Sequence, residues 1–274
     1  MVASTTNTAF PRFQAEGISF ITGSEWNPNE DTYGILPFIY GTLVTSFIAL
    51  IIAIPMSLGV ALFLTEYAPR WIRRPVEYAV DLLAAVPSVI YGLWGLLVVL
   101  PWLIRPVEEF LAKILGWIPI FAGPTTGVSY FAAGVILAIM ITPIITSLSR
   151  EVFRTVPMGD RHAAYAMGAT RWEMVKEAVL PRSRAGVIGA SMLGLGRALG
   201  ETIVVAMLSG NRNEIDASLI RAGSSIAGKI ANNFAEAGKD QIEALVGMGV
   251  VLFVITIIVN MAARAMVWRF ARVR

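Results

Sequence analysis

Residues 35–64 read ILPFIYGTLVTSFIALIIAIPMSLGVALFL, a run without a single charged side chain. A helix needs about 20 apolar residues to cross the hydrocarbon core of a bilayer. Four further apolar runs follow, and the five predicted spans are Ile35–Leu64, Tyr78–Leu103, Gly127–Leu148, Ala185–Leu208 and Ala244–Met266. A spanning segment must satisfy its own backbone hydrogen bonds, and none of these runs alternates like a barrel strand. The sequence therefore predicts an all-α membrane protein, a polytopic helical bundle.

The composition excludes several other classes of protein. Of the 274 residues, 56% are hydrophobic and 15% are charged, whereas roughly 25% are charged in an average soluble domain. The chain has no cysteine, which excludes disulfides, zinc–thiolate sites and cysteine nucleophiles. Its single histidine excludes histidine-rich metal sites, and a net charge of +3 gives no indication of nucleic-acid binding.

The positions of Lys and Arg predict the orientation, because cytoplasmic loops carry the excess of positive charge. Segments 66–77 and 149–184 hold three and seven basic residues, whereas segments 1–34 and 104–126 hold one and two. We expect a cytoplasmic C-terminus, an extracytoplasmic N-terminal segment over residues 1–34 and a transmembrane domain over residues 35–274. A polar segment of this length reaches the outside either by insertion of the N-terminus after synthesis or behind a preceding span. We expect the second case, in which a first helix is missing here.

Segment 149–184 is the most informative part of the chain outside the predicted spans. Its helical pattern runs from Val152 to Ala178 and is interrupted at Gly168. Glycine permits the sharp turn between two short helices, and Pro181 is expected to end the second one before the next span. Two structures fit: a helical hairpin that enters a groove of a partner protein, or an amphipathic hairpin on lipid headgroups, which the seven basic residues also favour.

The fourth predicted span carries two charges, Arg197 and Glu201. On one helix these residues lie a turn apart and can pair. The small residues expected to allow close helix packing beside them are Gly194, Gly196 and Gly200. Each charge costs at least about 2.5–3.5 kcal/mol near the middle of a membrane. The pair therefore either forms an internal salt bridge that holds two helices together or is part of a substrate path.

The chemistry of this pair favours an oxyanion substrate. An Arg guanidinium binds oxyanions through two parallel hydrogen bonds. A neighbouring carboxylate weakens the attraction enough for release, and it also accepts the proton that hydrogen phosphate carries and sulfate lacks. Arg197 and Glu201 therefore predict a path for phosphate, with another oxyanion as the alternative. A proton relay in a secondary transporter is a further alternative.

Segment 149–184 resembles the EAA loop of ATP-binding-cassette (ABC) importer permeases, in which two short helices couple the permease to its ATPase. The positions to which this resemblance assigns ATPase coupling are His162, Ala163, Ala164, Gly168, Leu180 and Pro181. His162 stands where the family has a Glu, so the ion pair that this Glu would make is in question. Stretches 20–28, 81–95 and 193–202 are similar to the PstC-type permeases of bacterial phosphate importers.

The resemblance implies the MetI-like ABC importer permease fold in a bacterial cytoplasmic (inner) membrane. It implies a heterodimer with a second, PstA-like permease, an ATPase dimer of the PstB type and an extracytoplasmic phosphate-binding protein of the PstS type. ATP and Mg would bind to the ATPase, because this chain contains no G-x-x-x-x-G-K-[ST] motif. We therefore expect a non-catalytic subunit without a cofactor, a metal site or a catalytic residue.

Overall fold

The computed structural model describes the backbone of residues 2–271 and the side chains of residue 6 and residues 8–265. The α-helices are α1 (Val2–Glu16), α2 (Ser19–Thr22), α3 (Leu36–Leu62), α4 (Arg70–Ala85), α5 (Ser88–Trp94), α6 (Arg105–Leu115), α7 (Tyr130–Arg154), α8 (Met158–Ala166), α9 (Arg171–Met174), α10 (Leu180–Leu199), α11 (Ile203–Leu208), α12 (Ile226–Asn233) and α13 (Lys239–Ala271). The π-helical segments are Phe63–Tyr67, Gly95–Ile104 and Val175–Val179. Strands β1 (Trp26–Asn27) and β2 (Thr32–Tyr33) form an antiparallel hairpin.

Four helices in the described part of the chain are long and apolar enough to cross a membrane. They are Leu36–Tyr67, Ser88–Leu115, Tyr130–Arg154 and Lys239–Ala265, which correspond to the first, second, third and fifth predicted spans. The fourth predicted span is divided into α10 and α11 by a break at residues 200–202. The all-α membrane fold is confirmed, with a broken helix in place of one continuous span. Arg272 and Arg274 of the basic C-terminal tail lie outside the described residues.

The predicted start of the second span, at Tyr78, is wrong. Helix α4 ends at Ala85, and Val86 and Pro87 have extended backbone conformations before the apolar helix begins at Ser88. A residue before proline avoids the α conformation, because its backbone would clash with the proline ring. The Val86–Pro87 pair therefore separates two helices that hydropathy alone joins.

The chain divides into two compact units, which are considered separately. Unit 1 contains the described residues of 1–49, 87–137 and 198–257. Unit 2 contains those of 50–86, 138–197 and 258–274.

The core of unit 1 joins the N-terminal segment to α12 and α13. Its buried members are Phe20, Trp26, Tyr33, Ile35, Phe38, Ile226, Ala244, Leu245, Met248 and Val251. The β1–β2 hairpin places Trp26 opposite Tyr33, with their ring centroids 4.9 Å apart in an edge-to-face arrangement. Aromatic pairs of this geometry add about 0.5–1.5 kcal/mol beyond the burial of their area. Phe20, Trp26 and Tyr33 thus tie the described part of the N-terminal segment to the helices of unit 1.

A lysine is buried in this aromatic core. The side chain of Lys229 in α12 donates a hydrogen bond from Nζ to Asn213 Oδ1 at 2.9 Å. The same Nζ lies 5.5 Å from the ring centroids of both Trp26 and Phe38, within the range of a cation–π contact. Burial lowers the pKa of Lys229 to about 8, because an apolar environment disfavours the charged form.

The core of unit 2 packs the end of α3 against α7, α9 and the π-helical segment that follows α9. Its buried members are Ala61, Phe153, Val156, Met174, Val175, Ala178 and Val179. Helices α7 and α10 approach closely, since a Cβ built on Gly186 would lie 2.5 Å from the side chain of Val152. This core supports the segment in which the EAA-like spacing occurs.

We expect the thermal stability of the protein to rise between about pH 8 and pH 10 through Lys229. In this window the lysine of the unfolded chain still binds its proton, while the buried lysine has lost it, so unfolding takes up a proton and becomes less favourable as pH rises. Relative to Lys229→Met, the wild type should gain about 1–3 kcal/mol over these two pH units. Thermal unfolding followed by tryptophan fluorescence measures the difference. Lys176→Met, at an exposed lysine, is the control, and identical pH profiles of wild type and Lys229→Met would contradict the expectation.

Candidate substrate path and coupling segment

The two charges of the fourth span lie on either side of a helix break. Arg197 is in the last turn of α10, is exposed in the isolated chain, and has no ion pair within the part of the structure that is described. Glu201 lies beyond the end of α10, where its Oε1 accepts a hydrogen bond of 3.4 Å from the backbone N–H of Val204 in α11. Carboxylates are favoured at this position, because the first N–H groups of a helix have no partner within the helix.

The predicted arrangement of this pair on one helical face is therefore wrong. Helix α10 ends at Leu199, so neither Gly200 nor Glu201 belongs to the helix that carries Arg197. The physical reason is local, because a glycine favours a helix end and the carboxylate of Glu201 satisfies the first turn of the next helix. The proposed face of Gly196 and Gly200 is lost as well.

The other two glycines differ in their surroundings. A Cβ built on Gly194 would lie 2.6 Å from the side chain of Ile145 in α7, so a larger residue here would require Ile145 to move. A Cβ on Gly196 would meet nothing within 4 Å. The structure thus supports the predicted role in helix packing for Gly194 and gives no close neighbour to Gly196.

The segment 149–184 contains the predicted helix–turn–helix. Helix α8 precedes a turn in which Gly168 has φ = +84°, and α9 starts at Arg171. A residue with a side chain is strained at this φ, while a Cβ at Gly168 would meet no atom within 4 Å. Gly168 is therefore needed for its backbone conformation and not for space.

A capping box fixes the start of α9. Thr170 Oγ1 accepts from the backbone N–H of Glu173 at 3.4 Å, and Glu173 Oε2 accepts from the backbone N–H of Thr170 at 2.7 Å. The hydrogen bonds from Thr170 also lower the pKa of Glu173. The Thr-x-x-Glu spacing of residues 170–173 is a sequence signal for this start that our sequence analysis did not use.

Pro181 does not end the second helix, contrary to our prediction. The chain is helical without interruption from Arg171 through the π-helical segment Val175–Val179 to Leu199. Proline removes one backbone hydrogen bond and crowds the carbonyl four residues before it. A wider π turn immediately upstream accommodates this crowding, so the helix passes Pro181 intact.

A buried ion pair attaches α8 to the end of the first span. Arg161 Nη1 lies 2.7 and 2.8 Å from the two carboxylate oxygens of Glu66, and Nη2 donates to the backbone carbonyl of Phe153 at 2.8 Å. The side chains of Glu66 and Arg161 are only 5% and 12% exposed. A second ion pair joins Arg182 Nε of α10 to Asp160 Oδ2 of α8 at 2.7 Å. Neither pair has a signal in the sequence, because the partners are far apart along the chain.

The segment also exposes large apolar groups. Met158, Met167 and Trp172 are 61%, 89% and 53% exposed, and Tyr165 is also exposed. His162 and Ala163 are exposed as well, whereas Ala164 and Leu180 pack against the core of unit 2. Large apolar groups grouped in this way indicate a surface for a protein partner or a membrane.

Asp81 has a different partner from the one that the sequence suggests. Its position after Arg73 and Arg74 predicts contacts with these residues. In the structure Asp81 Oδ1 accepts from Ser147 Oγ at 3.2 Å, and Oδ2 lies 3.6 Å from Nη2 of Arg150 in α7. Asp81 therefore links α4 to α7, and its contacts are those of a structural residue.

The chain belongs to the family of binding-protein-dependent transport system inner membrane components, which it matches over residues 53–272. Among its relatives, the phosphate transport system permease protein PstC of Xylella fastidiosa (strain 9a5c) is 49% identical over 94% of this chain and 81% of the relative. PstC of Pasteurella multocida is 45% identical, over 95% of this chain and 82% of the relative. PstC 2 of Mycobacterium tuberculosis is 44% identical over 94% of this chain and 82% of the relative.

Solved structures show the same fold at low sequence identity. The MetNI methionine ABC transporter in an inward-facing conformation has a TM-score of 0.64 at 20% identity, over 87% of this chain and 96% of that chain. A bacterial ABC transporter involved in the import of alginate has a TM-score of 0.61 at 17% identity, over 95% of this chain and 89% of that chain. The MetI-like permease fold is thereby confirmed for this multi-pass inner-membrane protein.

Replacing Gly168 by alanine should weaken the turn between α8 and α9. A non-glycine residue in this conformation costs about 1–2 kcal/mol, so we expect a lower melting temperature and reduced co-purification with the ATPase. Gly159→Ala is the matched control, because Gly159 lies in α8 and a Cβ there meets no atom within 4 Å. The same loss in both variants would show that the φ of Gly168 does not matter.

Replacing Glu66 by glutamine should destabilise unit 2 strongly. The substitution leaves the guanidinium of Arg161 buried without a carboxylate, which costs about 3–5 kcal/mol. Glu214→Gln is the control: its side chain is 70% exposed in its pair with Arg212, and such surface pairs contribute roughly 0–1 kcal/mol. Thermal unfolding of the two variants in detergent measures the difference, and equal melting temperatures would refute the assignment of Glu66 as an anchor.

Proposed function

We propose that this chain is a permease subunit of an ABC importer that carries inorganic phosphate across the cytoplasmic membrane. The observation that carries this proposal is the 49% identity with a phosphate transport system permease over nearly the whole chain. The MetI-like fold and the family match support the broader class of importer.

The helix break at residues 200–202 supports a substrate path at this point of the chain. Membrane transporters often place substrate sites at discontinuous helices, where backbone groups and charges are free to bind a ligand. Arg197 supplies a guanidinium, the group best suited to bind a phosphate with two hydrogen bonds. Glu201 supplies a carboxylate that accepts a hydrogen bond from the P–O–H group of hydrogen phosphate. Both charges are retained in a predicted span despite their cost in a membrane.

The segment 149–184 is proposed to couple transport to ATP hydrolysis in a partner. The buried Glu66–Arg161 pair holds α8 in place, while Met158, Met167 and Trp172 remain exposed for contact. The groove of a partner protein is the contact that the family match supports for this face, and grouped exposed apolar side chains are typical of such contacts. His162 is exposed beside this face and is proposed to contact the partner there.

The similarity to PstC permeases supports a proposal for the whole assembly. A second, PstA-like permease completes the pathway, a PstB-like ATPase dimer binds ATP and Mg, and a PstS-like binding protein delivers phosphate from outside. This chain acts without a catalytic residue or cofactor of its own. The basic segment 149–184 faces the cytoplasm together with the C-terminus.

Uptake of radiolabelled phosphate into vesicles that contain the complete transporter tests the proposed path. Arg197→Ala should reduce the rate at least tenfold, because a charge-assisted hydrogen bond contributes about 1.5–3 kcal/mol. Glu201→Gln should also reduce uptake, because a neutral amide is a weaker hydrogen-bond acceptor than a carboxylate for the P–O–H group of hydrogen phosphate. Arg184→Ala changes an exposed arginine at the other end of α10 and is the control. Normal phosphate uptake by Arg197→Ala would exclude this residue from the path.

A further inference from the structure

Unit 2 contains a cleft at the point where the first span meets the coupling segment, and we call it the corner cleft. Its volume is about 280 Å³. The residues that line it are Thr65, Glu66, Ala68, Arg73, Met158, Arg161, His162, Tyr165, Arg171 and Met174. Because a water molecule occupies roughly 30 Å³ of liquid, the cleft has room for a small polyatomic ion with part of its hydration shell.

The corner cleft has an excess of positive charge. Three arginines and a single carboxylate line it, and the carboxylate of Glu66 is already bound by Arg161. Arg73 donates from Nη2 to the backbone carbonyls of Thr65 and Ala68 at 3.0 and 3.4 Å. These carbonyls are neutral and do not balance its charge. Two guanidinium charges are therefore not neutralised by any ion pair among the described residues, namely those of Arg73 and Arg171.

The geometry of these arginines favours a ligand over free solvation. The guanidinium of Arg171 lies over the ring of Tyr67, 5.1 Å from its centroid, which fixes its plane while its edge stays available. The Nε atoms of Arg73 and Arg161 are shielded from solvent and have no hydrogen-bond partner in the described part of the chain. An unsatisfied buried donor is costly, and an anion held nearby compensates this cost electrostatically.

We propose that the corner cleft binds a phosphate group. Arginine forks match the tetrahedral oxygens of phosphate, and a concave site lined by one sign of charge concentrates ions of the opposite sign. Two sources present this group here. One is the headgroup of an anionic phospholipid, because Glu66 and Tyr67 are the last residues of a membrane-spanning helix. The other is inorganic phosphate in solution, and neither source involves Arg197 or Glu201.

Occupation of the cleft would affect coupling directly. The ligand would bridge Arg73, which follows the first span, to Arg171, which begins α9. It would thereby strengthen the attachment that the Glu66–Arg161 pair provides on the neighbouring wall. The site is thus a point at which lipid or phosphate adjusts how firmly the coupling segment is held.

Direct binding measurements on the purified complete transporter test the proposal. Native mass spectrometry counts the phosphatidylglycerol molecules that remain bound after exchange into phosphatidylcholine, and equilibrium dialysis with radiolabelled phosphate counts inorganic phosphate. Arg73→Gln should weaken one of these two binding events about tenfold. Arg74→Gln removes the same charge from the next position of α4 without touching the cleft, so it should behave as wild type.

A second variant keeps the test independent of the backbone contacts of Arg73. Arg171→Gln should give the same loss as Arg73→Gln, and Arg171→Lys should restore part of it. A loss of bound phosphatidylglycerol identifies the lipid as the source, and a loss of one dialysable phosphate identifies the free ion. If Arg73→Gln, Arg171→Gln and Arg74→Gln all bind both probes as the wild type does, the corner cleft is not a phosphate-group site.

Discussion

The contact between Glu66 and Arg161 determines how unit 2 presents its functional surface. One guanidinium nitrogen reaches both oxygens of the carboxylate, and the other binds the carbonyl of Phe153. Two opposite charges in a nearly dry environment require each other, because either one alone would be buried without compensation. The pair fixes α8 to the end of the first span and to α7. The exposed face of α8 and the corner cleft both depend on that attachment.

Hydropathy located most of the membrane helices, because a bilayer imposes length and apolar character on any chain that crosses it. It failed where the backbone changes direction inside an apolar run. Pro87 and Gly200 lie at such breaks, and both residue types are tolerated in membrane helices as well as between them. Residue types alone do not distinguish a Pro or Gly inside one helix from a Pro or Gly between two helices. Hydropathy therefore joins separate helices in the second and fourth predicted spans.

In the candidate sites, features that depend on neighbouring residues could be predicted, whereas contacts between residues far apart in the chain could not. The turn at Gly168 was predictable, because glycine is the residue that adopts a positive φ without strain. The capping box of Thr170 and Glu173 was equally visible as a spacing. The Arg161–Glu66 pair joins residues 95 positions apart, and nothing near either residue indicates its partner. The role of Glu201 at the start of α11 required knowledge of where α10 ends.

The uninterrupted helix from Arg171 to Leu199 has a mechanical consequence. At 1.5 Å per residue, Arg171 lies about 22 Å from Gly186 along the axis, while Arg197 lies only about 5 Å beyond Gly194. The tight contacts of Gly186 and Gly194 with α7 hold this rod, and so do the buried residues Met174, Val175, Ala178 and Val179. A rod held along most of its length bends little, so a displacement of its coupling end is carried along the axis to Arg197. A displacement of about one ångström is the scale on which hydrogen bonds to a small anion are made or lost.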